Sequence, residues 1–258
     1  MIDIHAHVLP GLDDGPSDWQ ASLEFLRKST EEGVEGVVCT SHVLDKLDGR
    51  LETEFLRTFE GLQERVRDEG IPVKLWLGAE IHCSASFDPR STVATFNGNG
   101  RSLLLELPMT GVPQGVERLF FALVLEGLSP ILAHPERNTA LVENMDRIFD
   151  FYERGVLFQV NAGSFLGHFG RAAKRKAVAL LDRGLVHFVA SDSHCSRTRS
   201  VVMGGAYRFV KERSGEEIAD RLFRIHPERA IKGEAVDPPR PHREAPKKSG
   251  LFRQPGRI

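Results

Sequence analysis

Seven short runs of aliphatic and β-branched residues recur along this chain, and six of them stop at a histidine, an aspartate or a glutamate. The runs are Ile2 to His5, Gly36 to Thr40, Val73 to Leu77, Ser102 to Leu107, Pro130 to Ala133, Leu157 to Asn161 and His187 to Ala190, each of strand length and composition. One-faced helical patterns separate them. Trp19, Leu23 and Leu26 follow Ser17, which with Gln20 forms a capping-box pattern. Val116, Leu119, Phe120, Leu123 and Val124 keep the i, i+3, i+4 spacing, as do Leu141, Met145, Ile148, Phe149 and Tyr152, and then Ala173, Ala177, Leu180 and Leu181. Apolar strands alternating with amphipathic helices imply a parallel sheet covered on both faces. Seven such units favour an α/β barrel, closed or nearly so, and leave an open sheet as the alternative.

In a parallel barrel the C-terminal strand ends share one mouth, where active sites are built. Just past the strands stand His5 and His7, His42, Glu80, Glu106, His134, and Asp192 with His194. The spacing of His5 and His7 points both imidazoles the same way, an arrangement that is costly to bury unless a cation takes them. Imidazole and carboxylate donors without thiolate suit manganese, iron or zinc, and lean toward the harder ions. Eight donors exceed what one ion takes, so two or three divalent ions with a bridging carboxylate are expected, an arrangement suited to hydrolysis at phosphorus. Arg137, three residues past His134, and Arg197 or Arg199, past His194, would bring guanidinium forks to phosphate oxygens.

Other chemistries fit less well. A cysteine phosphatase needs an arginine six positions after its nucleophile, but position 89 after Cys83 is Pro89, with Arg90 one residue late and no glycine-rich cradle; Cys39 and Cys195 do no better. Three cysteines without C-x-x-C spacing also argue against a disulfide scaffold, and 258 residues bury enough surface to fold without one. No apolar run approaches the ~18 residues of a membrane span, so a soluble, cytoplasmic protein is expected. The net charge of −2 conceals two parts. Residues 237–258 carry six Lys/Arg against two acids and five of the fourteen prolines, the composition of a basic, proline-rich disordered tail. The remaining −6 falls on residues 1–236, read as one domain; an acidic body gives no case for nucleic-acid binding.

The succession IHAHVLPGLDDGP, CTSH, GAEIH, LLLELP, LAHPERN, VNAGS and ASDSH, running from Ile2 to about Arg199, resembles the polymerase and histidinol phosphatase superfamily. Within it, the chain is similar to the bacterial capsule and exopolysaccharide tyrosine-protein phosphatases that depend on manganese. The resemblance implies a distorted TIM-like (β/α)7 barrel with a trinuclear metal centre. Its ligands would be His5, His7, His42, Glu80 as the bridging carboxylate, Glu106, His134, Asp192 and His194, joined by Asp14 of the Asp-Asp-Gly segment; Arg137 and Arg199 would bind phosphate. Ser41 stands where these proteins usually have proline. The implied activity is hydrolysis of phosphotyrosine by a metal-activated hydroxide. The substrate would be a membrane-associated bacterial tyrosine kinase of capsule or exopolysaccharide synthesis. A small-molecule phosphatase acting on histidinol phosphate, and a non-catalytic regulatory barrel in a polysaccharide assembly complex, are the alternatives. Oligomeric state is not legible.

Overall fold

The computed structural model describes residues 1–194, 201–236 and 241–243. Arg197, Arg199, Cys195 and most of the basic tail lie outside the described residues. Nine strands are present among the described residues: β1 (Ile2–Ala6), β2 (Gly36–Cys39), β3 (His42–Val43), β4 (Lys74–Leu77), β5 (Glu80–His82), β6 (Ser102–Glu106), β7 (Ser129–Ala133), β8 (Leu157–Asn161) and β9 (Phe188–Ala190). All pair in parallel, in two sheets ordered β1-β2-β4 and β3-β5-β6-β7-β8-β9. The described helices are α1 (Trp19–Glu31), α2 (Gly49–Asp68), α3 (Val116–Leu125), α4 (Thr139–Val142), α5 (Met145–Glu153), α6 (Ala162–Leu166), α7 (Gly170–Asp182), α8 (Met203–Ser214), α9 (Glu216–Asp220) and α10 (His226–Lys232).

The seven expected strands become nine because two of them are followed, after a short break, by a further strand beyond their expected ends. β2 and β3 are separated by Thr40 and Ser41, β4 and β5 by Gly78 and Ala79. Main-chain bonds bridge the breaks, from Gly78 N to Cys39 O (3.0 Å) and from Glu80 N to Ser41 O (3.1 Å). Gly78 permits this kink: a Cβ there would sit 2.9 Å from the Phe96 ring. At the far edges, Asp192 N donates to His5 O (2.8 Å) and His7 N to Ser193 O (2.9 Å), and Ala6 bridges Ser193 in parallel.

A first apolar cluster lies between strands and helices, and a second gathers Ile4, Val38, Leu104, Ile131, Leu157 and Phe188 from six strands, closed off by Phe96, Ala230 and Ile231. The inward face of the strands changes from apolar to polar toward the C-terminal ends. Leu104 is followed two residues on by Glu106, Leu157 by Gln159 and Asn161, and Phe188 by Ala190 and Asp192, as period-two alternation requires. β1 departs from that phase. Its register shifts between Asp3 and Ala6, so Ile2 and Ile4 pack with the inner cluster while His5 and His7 also turn inward beyond the irregularity.

The helix starts also sharpen. Asp18, not Ser17, caps α1, accepting from Ala21 N at 2.9 Å, because its carboxylate reaches the free N–H from one residue closer. The stripe from Leu141 to Tyr152 divides into α4 and α5 at Asn144, whose side chain accepts from Arg147 N. Asp48 caps the 20-residue α2 by accepting from both Arg50 N and Leu51 N at 3.1 Å. Asp48→Ala is expected to lower the denaturant midpoint of unfolding, with an unchanged m-value.

Candidate metal centre

Glu80, at the start of β5 and wholly buried, is the hub. Its Oε2 lies 3.2 Å from His5 Nε2, 3.2 Å from His7 Nε2 and 3.0 Å from His42 Nδ1, and its Oε1 lies 3.2 Å from His134 Nε2. Glu106 reaches His134 Nε2 at 3.5 Å and His42 Nδ1 at 3.8 Å. Asp192 Oδ1 faces His5 and His7 at 3.5 and 3.7 Å, and His194 Nδ1 at 3.6 Å. Asp14, the most exposed of the set, turns its carboxylate to His194 Nε2 (3.2 Å) and His42 Nε2 (3.7 Å). All nine side chains singled out in the sequence as metal donors thus meet at one mouth.

Three overlapping groups place donor atoms within 4.8 Å of one another: His5, His7 and Glu80; His42, Glu80 and Glu106; and His7, Asp14, His42 and His194. Glu80, His7 and His42 each belong to two. The contacts fit cations better than hydrogen bonds. Glu80 Oε2 and His42 Nδ1 are buried and lack a hydrogen-bond partner although they are only 3.0 Å apart, and His5 Nε2 faces His7 Nε2 at 3.2 Å. Lone pairs converging on common points are what a divalent ion satisfies and a proton does poorly.

Several residues that sequence reasoning missed hold these donors in place. Asp13 Oδ2 accepts from His7 Nδ1 (2.7 Å) and from His42 N (3.0 Å), and Asp13 Oδ1 from Gly15 N (2.9 Å). Gln159 Oε1 accepts from His5 Nδ1 (2.9 Å). Asn161 Nδ2 donates to Asp192 Oδ2 (2.7 Å) and its Oδ1 accepts from Gln159 Nε2 (2.9 Å). Engaging Nδ1 leaves the Nε2 lone pairs of His5 and His7 for an ion. The one available signal was polarity out of place: Gln159 and Asn161 interrupt an otherwise apolar strand, and Asp13 doubles Asp14. Strain accompanies the site. His134 and Asp192 adopt φ of 32° and 51°, left-handed values that side-chain-bearing residues rarely take. His82 is half-buried beside Ser84, His168 is exposed, and neither joins the cluster.

Charge is balanced locally. Burial pulls the His5 and His7 imidazoles down, yet Glu80 with Asp192, and Asp13 with Glu80, outweigh it and hold them up at about 9 and about 10. Burial would raise Glu80, but its histidine neighbours keep it well below the usual carboxylate range; Asp192 falls to about 2 for the same reason. Glu106 is raised by burial and by the charge on Glu80. Without ions, His5 and His7 are therefore protonated at neutral pH, and ion uptake must expel those protons. Two expectations follow from the sign. Apparent metal affinity, followed by titration calorimetry in buffers of different ionisation enthalpy, should strengthen roughly tenfold or more per pH unit from pH 6 to 9. The histidine contribution to metal-free stability is full below pH 6.5 and lost as pH rises through about 9 and 10, so chelated protein should melt progressively lower across that window while loaded protein does not.

Arg137 stands at the edge of the cluster, its guanidinium paired with Asp192 Oδ2 and lying 4.3 Å over the Phe169 ring. Neither described thiol belongs to the donor groups. Cys39 is wholly buried and Cys83 half-buried, and burial pushes both thiols up, away from the reactive thiolate.

The geometry has counterparts. Tyrosine-protein phosphatase YwqE of Bacillus subtilis is 32% identical over 221 residues, covering 84% of this chain and 87% of its own. Tyrosine-protein phosphatase CpsB of Streptococcus pneumoniae is 28% identical over 244 residues, 92% of this chain and 100% of its own. A solved structure from a study of these two proteins, described as unique metal-dependent tyrosine phosphatases, superposes with a TM-score of 0.84 at 29% identity, covering 93% of this chain and 98% of that one. The model of the capsular polysaccharide synthesis family CpsB/CapC matches residues 1–232, and the chain belongs to that family.

Proposed function

We infer that the protein is a metal-dependent protein-tyrosine phosphatase. The observation that carries this is the convergence of nine imidazole and carboxylate side chains, seven of them in three overlapping groups and His134 and Asp192 against these, beside the guanidinium of Arg137. His5, His7 and Glu80, with Asp192, would hold one ion; His42, Glu80 and Glu106, with His134, a second; His7, Asp14, His42 and His194 a third. Divalent ions held there lower the pKa of water and neutralise charge on phosphoryl oxygens. Manganese matches a thiolate-free donor set. Arg137 has a planar fork suited to two phosphate oxygens, with Arg199 as the expected second arginine. Asp13 and Gln159 keep the imidazoles oriented, and Asn161 shares Asp192 with Arg137, so the arginine can turn to substrate without leaving that carboxylate unpartnered. A phenol leaving group, with pKa ~10, needs only modest protonation.

We further read the two sheets as one distorted seven-unit barrel, supported by the hydrogen bonds that bridge β2/β3 to β4/β5 and link β1 to the end of β9. Residues 1–236 form its single domain and 237–258 a basic tail. The family's place in capsular polysaccharide synthesis supports a tyrosine kinase of that process as the phosphoprotein. No helix among the described residues is long and apolar enough to cross a membrane, in keeping with action on the cytoplasmic side.

The deciding experiment compares a phosphotyrosine peptide, histidinol phosphate and a nucleotide as substrates for protein purified without chelator, with metal content measured in parallel. Phosphotyrosine should be turned over fastest, activity should vanish in exhaustive chelator and return with manganese, and cysteine alkylation should leave it intact. Preference for histidinol phosphate, or turnover that survives complete metal removal, would sink the reading.

A further inference from the structure

Next to the metal centre lies a cavity of about 460 Å³ that the proposed chemistry does not use. Met109, Phe169, Ala172 and Ala173 supply apolar wall, and Arg137 is shared with the metal centre. Glu136 also lines it; this wholly buried side chain uses Oε1 to accept from Asn161 N and Ser164 Oγ and leaves Oε2 without a partner. Such an oxygen can receive a main-chain N–H from a bound polypeptide.

The helix that forms one wall is charged against expectation. α7 begins at the mouth, directly after Phe169, with no acidic residue in its first turn and no side-chain cap. It carries Arg171, Lys174 and Arg175 instead, at the end where the helix dipole already disfavours positive charge. Arg171 and Arg175, one turn apart and both exposed, have no ion pair with any described residue, and the Lys174 ammonium lies over the Phe209 ring. Glu143 is the one exposed carboxylate of the lining. A cationic rim on a body whose sequence is net acidic marks where an anionic chain is drawn in.

We propose that this cavity and the basic start of α7 bind the polypeptide flanking the phosphotyrosine, and that they select an acidic chain. The proposal rests on the phosphatase reading above. A phosphorylated side chain seated against Arg137 leaves its neighbouring residues beside Phe169 and α7. An apolar neighbour fits the cavity, a main-chain N–H meets Glu136 Oε2, and acidic side chains face Arg171 and Arg175.

The test uses the manganese-loaded full chain with three substrates: a phosphotyrosine peptide flanked by glutamates, the same peptide with glutamines, and p-nitrophenyl phosphate, which has no flanks. Wild type should prefer the glutamate peptide over the glutamine one. The variant Arg171→Glu/Arg175→Glu should lose about tenfold or more in kcat/KM on the glutamate peptide at low salt, a loss that shrinks at ~0.5 M salt. It should keep its activity on p-nitrophenyl phosphate. Ala172→Trp, which fills the cavity, should raise KM for both peptides and spare the small substrate. Equal turnover of the two peptides by wild type, or a parallel fall on p-nitrophenyl phosphate, overturns the proposal. Binding of the labelled glutamate peptide by fluorescence anisotropy is measured alongside: unchanged affinity in the double variant overturns it too. A wild type that binds the acidic peptide tightly but hydrolyses no aryl phosphate would instead refute the phosphatase reading alone.

Discussion

Replacing Glu80 by glutamine is expected to reduce phosphotyrosine hydrolysis by roughly 10³-fold or more and to lower the bound metal measured by elemental analysis. The amide keeps the volume, so circular dichroism should not change. What it removes is the charge that three imidazoles share: His5, His7 and His42 all lie within 3.2 Å of one Glu80 oxygen. Two of the three donor groups include this carboxylate, so no neighbouring group can compensate. Glu80 is wholly buried, and water cannot supply the missing charge. Full metal occupancy with undiminished turnover in the variant would show that Glu80 does not bridge the site.

Arg137→Ala is expected to cut kcat/KM by about 10²- to 10³-fold while leaving metal content unchanged. The contrast with Glu80→Gln separates a group that holds phosphate from one that holds ions. The Arg137 side chain pairs with Asp192, which keeps its hydrogen bond from Asn161, and the main-chain bond from Arg137 N to His134 O is unaffected by the substitution. Inhibition by inorganic phosphate should weaken in the same variant. Arg137→Lys should recover little, because a point charge on a flexible stem neither offers two parallel donors nor stacks on Phe169 as the planar guanidinium does. Metal loss in Arg137→Ala, or near-normal kcat/KM in Arg137→Lys, would assign this residue a structural role instead.

Much of the candidate site was legible because its donors stand at the ends of strands that announce themselves. Period-two alternation and the position after each apolar run located His5, His7, His42, Glu80, Glu106, His134, Asp192 and His194. The supporting residues were harder to find. Asp13 and Asp14 are adjacent and chemically alike, yet one backs His7 and the other faces His42 and His194; nothing local tells them apart. Gln159 was visible only as a polar residue within an apolar strand. The additional strands β3 and β5 were not foreseen either, and the close approach that requires glycine at position 78 is to Phe96, eighteen positions away.

Taken by itself, the sequence determined the chemistry of the site: which donor types are present, that thiolate is not among those at the strand ends, and that the donors occupy equivalent positions in successive strand and helix units. Those properties follow from side-chain identity and short-range periodicity. Only the tertiary structure decided how the donors divide. The shifted register in β1 turns His5 and His7 inward beyond Ile4, the left-handed backbone at His134 and Asp192 re-aims two strand ends, and Phe169 covers one face of Arg137. Each depends on contacts between segments far apart in the chain, as in the bond from Asp192 N to His5 O. The free energy of those contacts belongs to pairs of residues brought together by folding, so no local stretch of sequence records it.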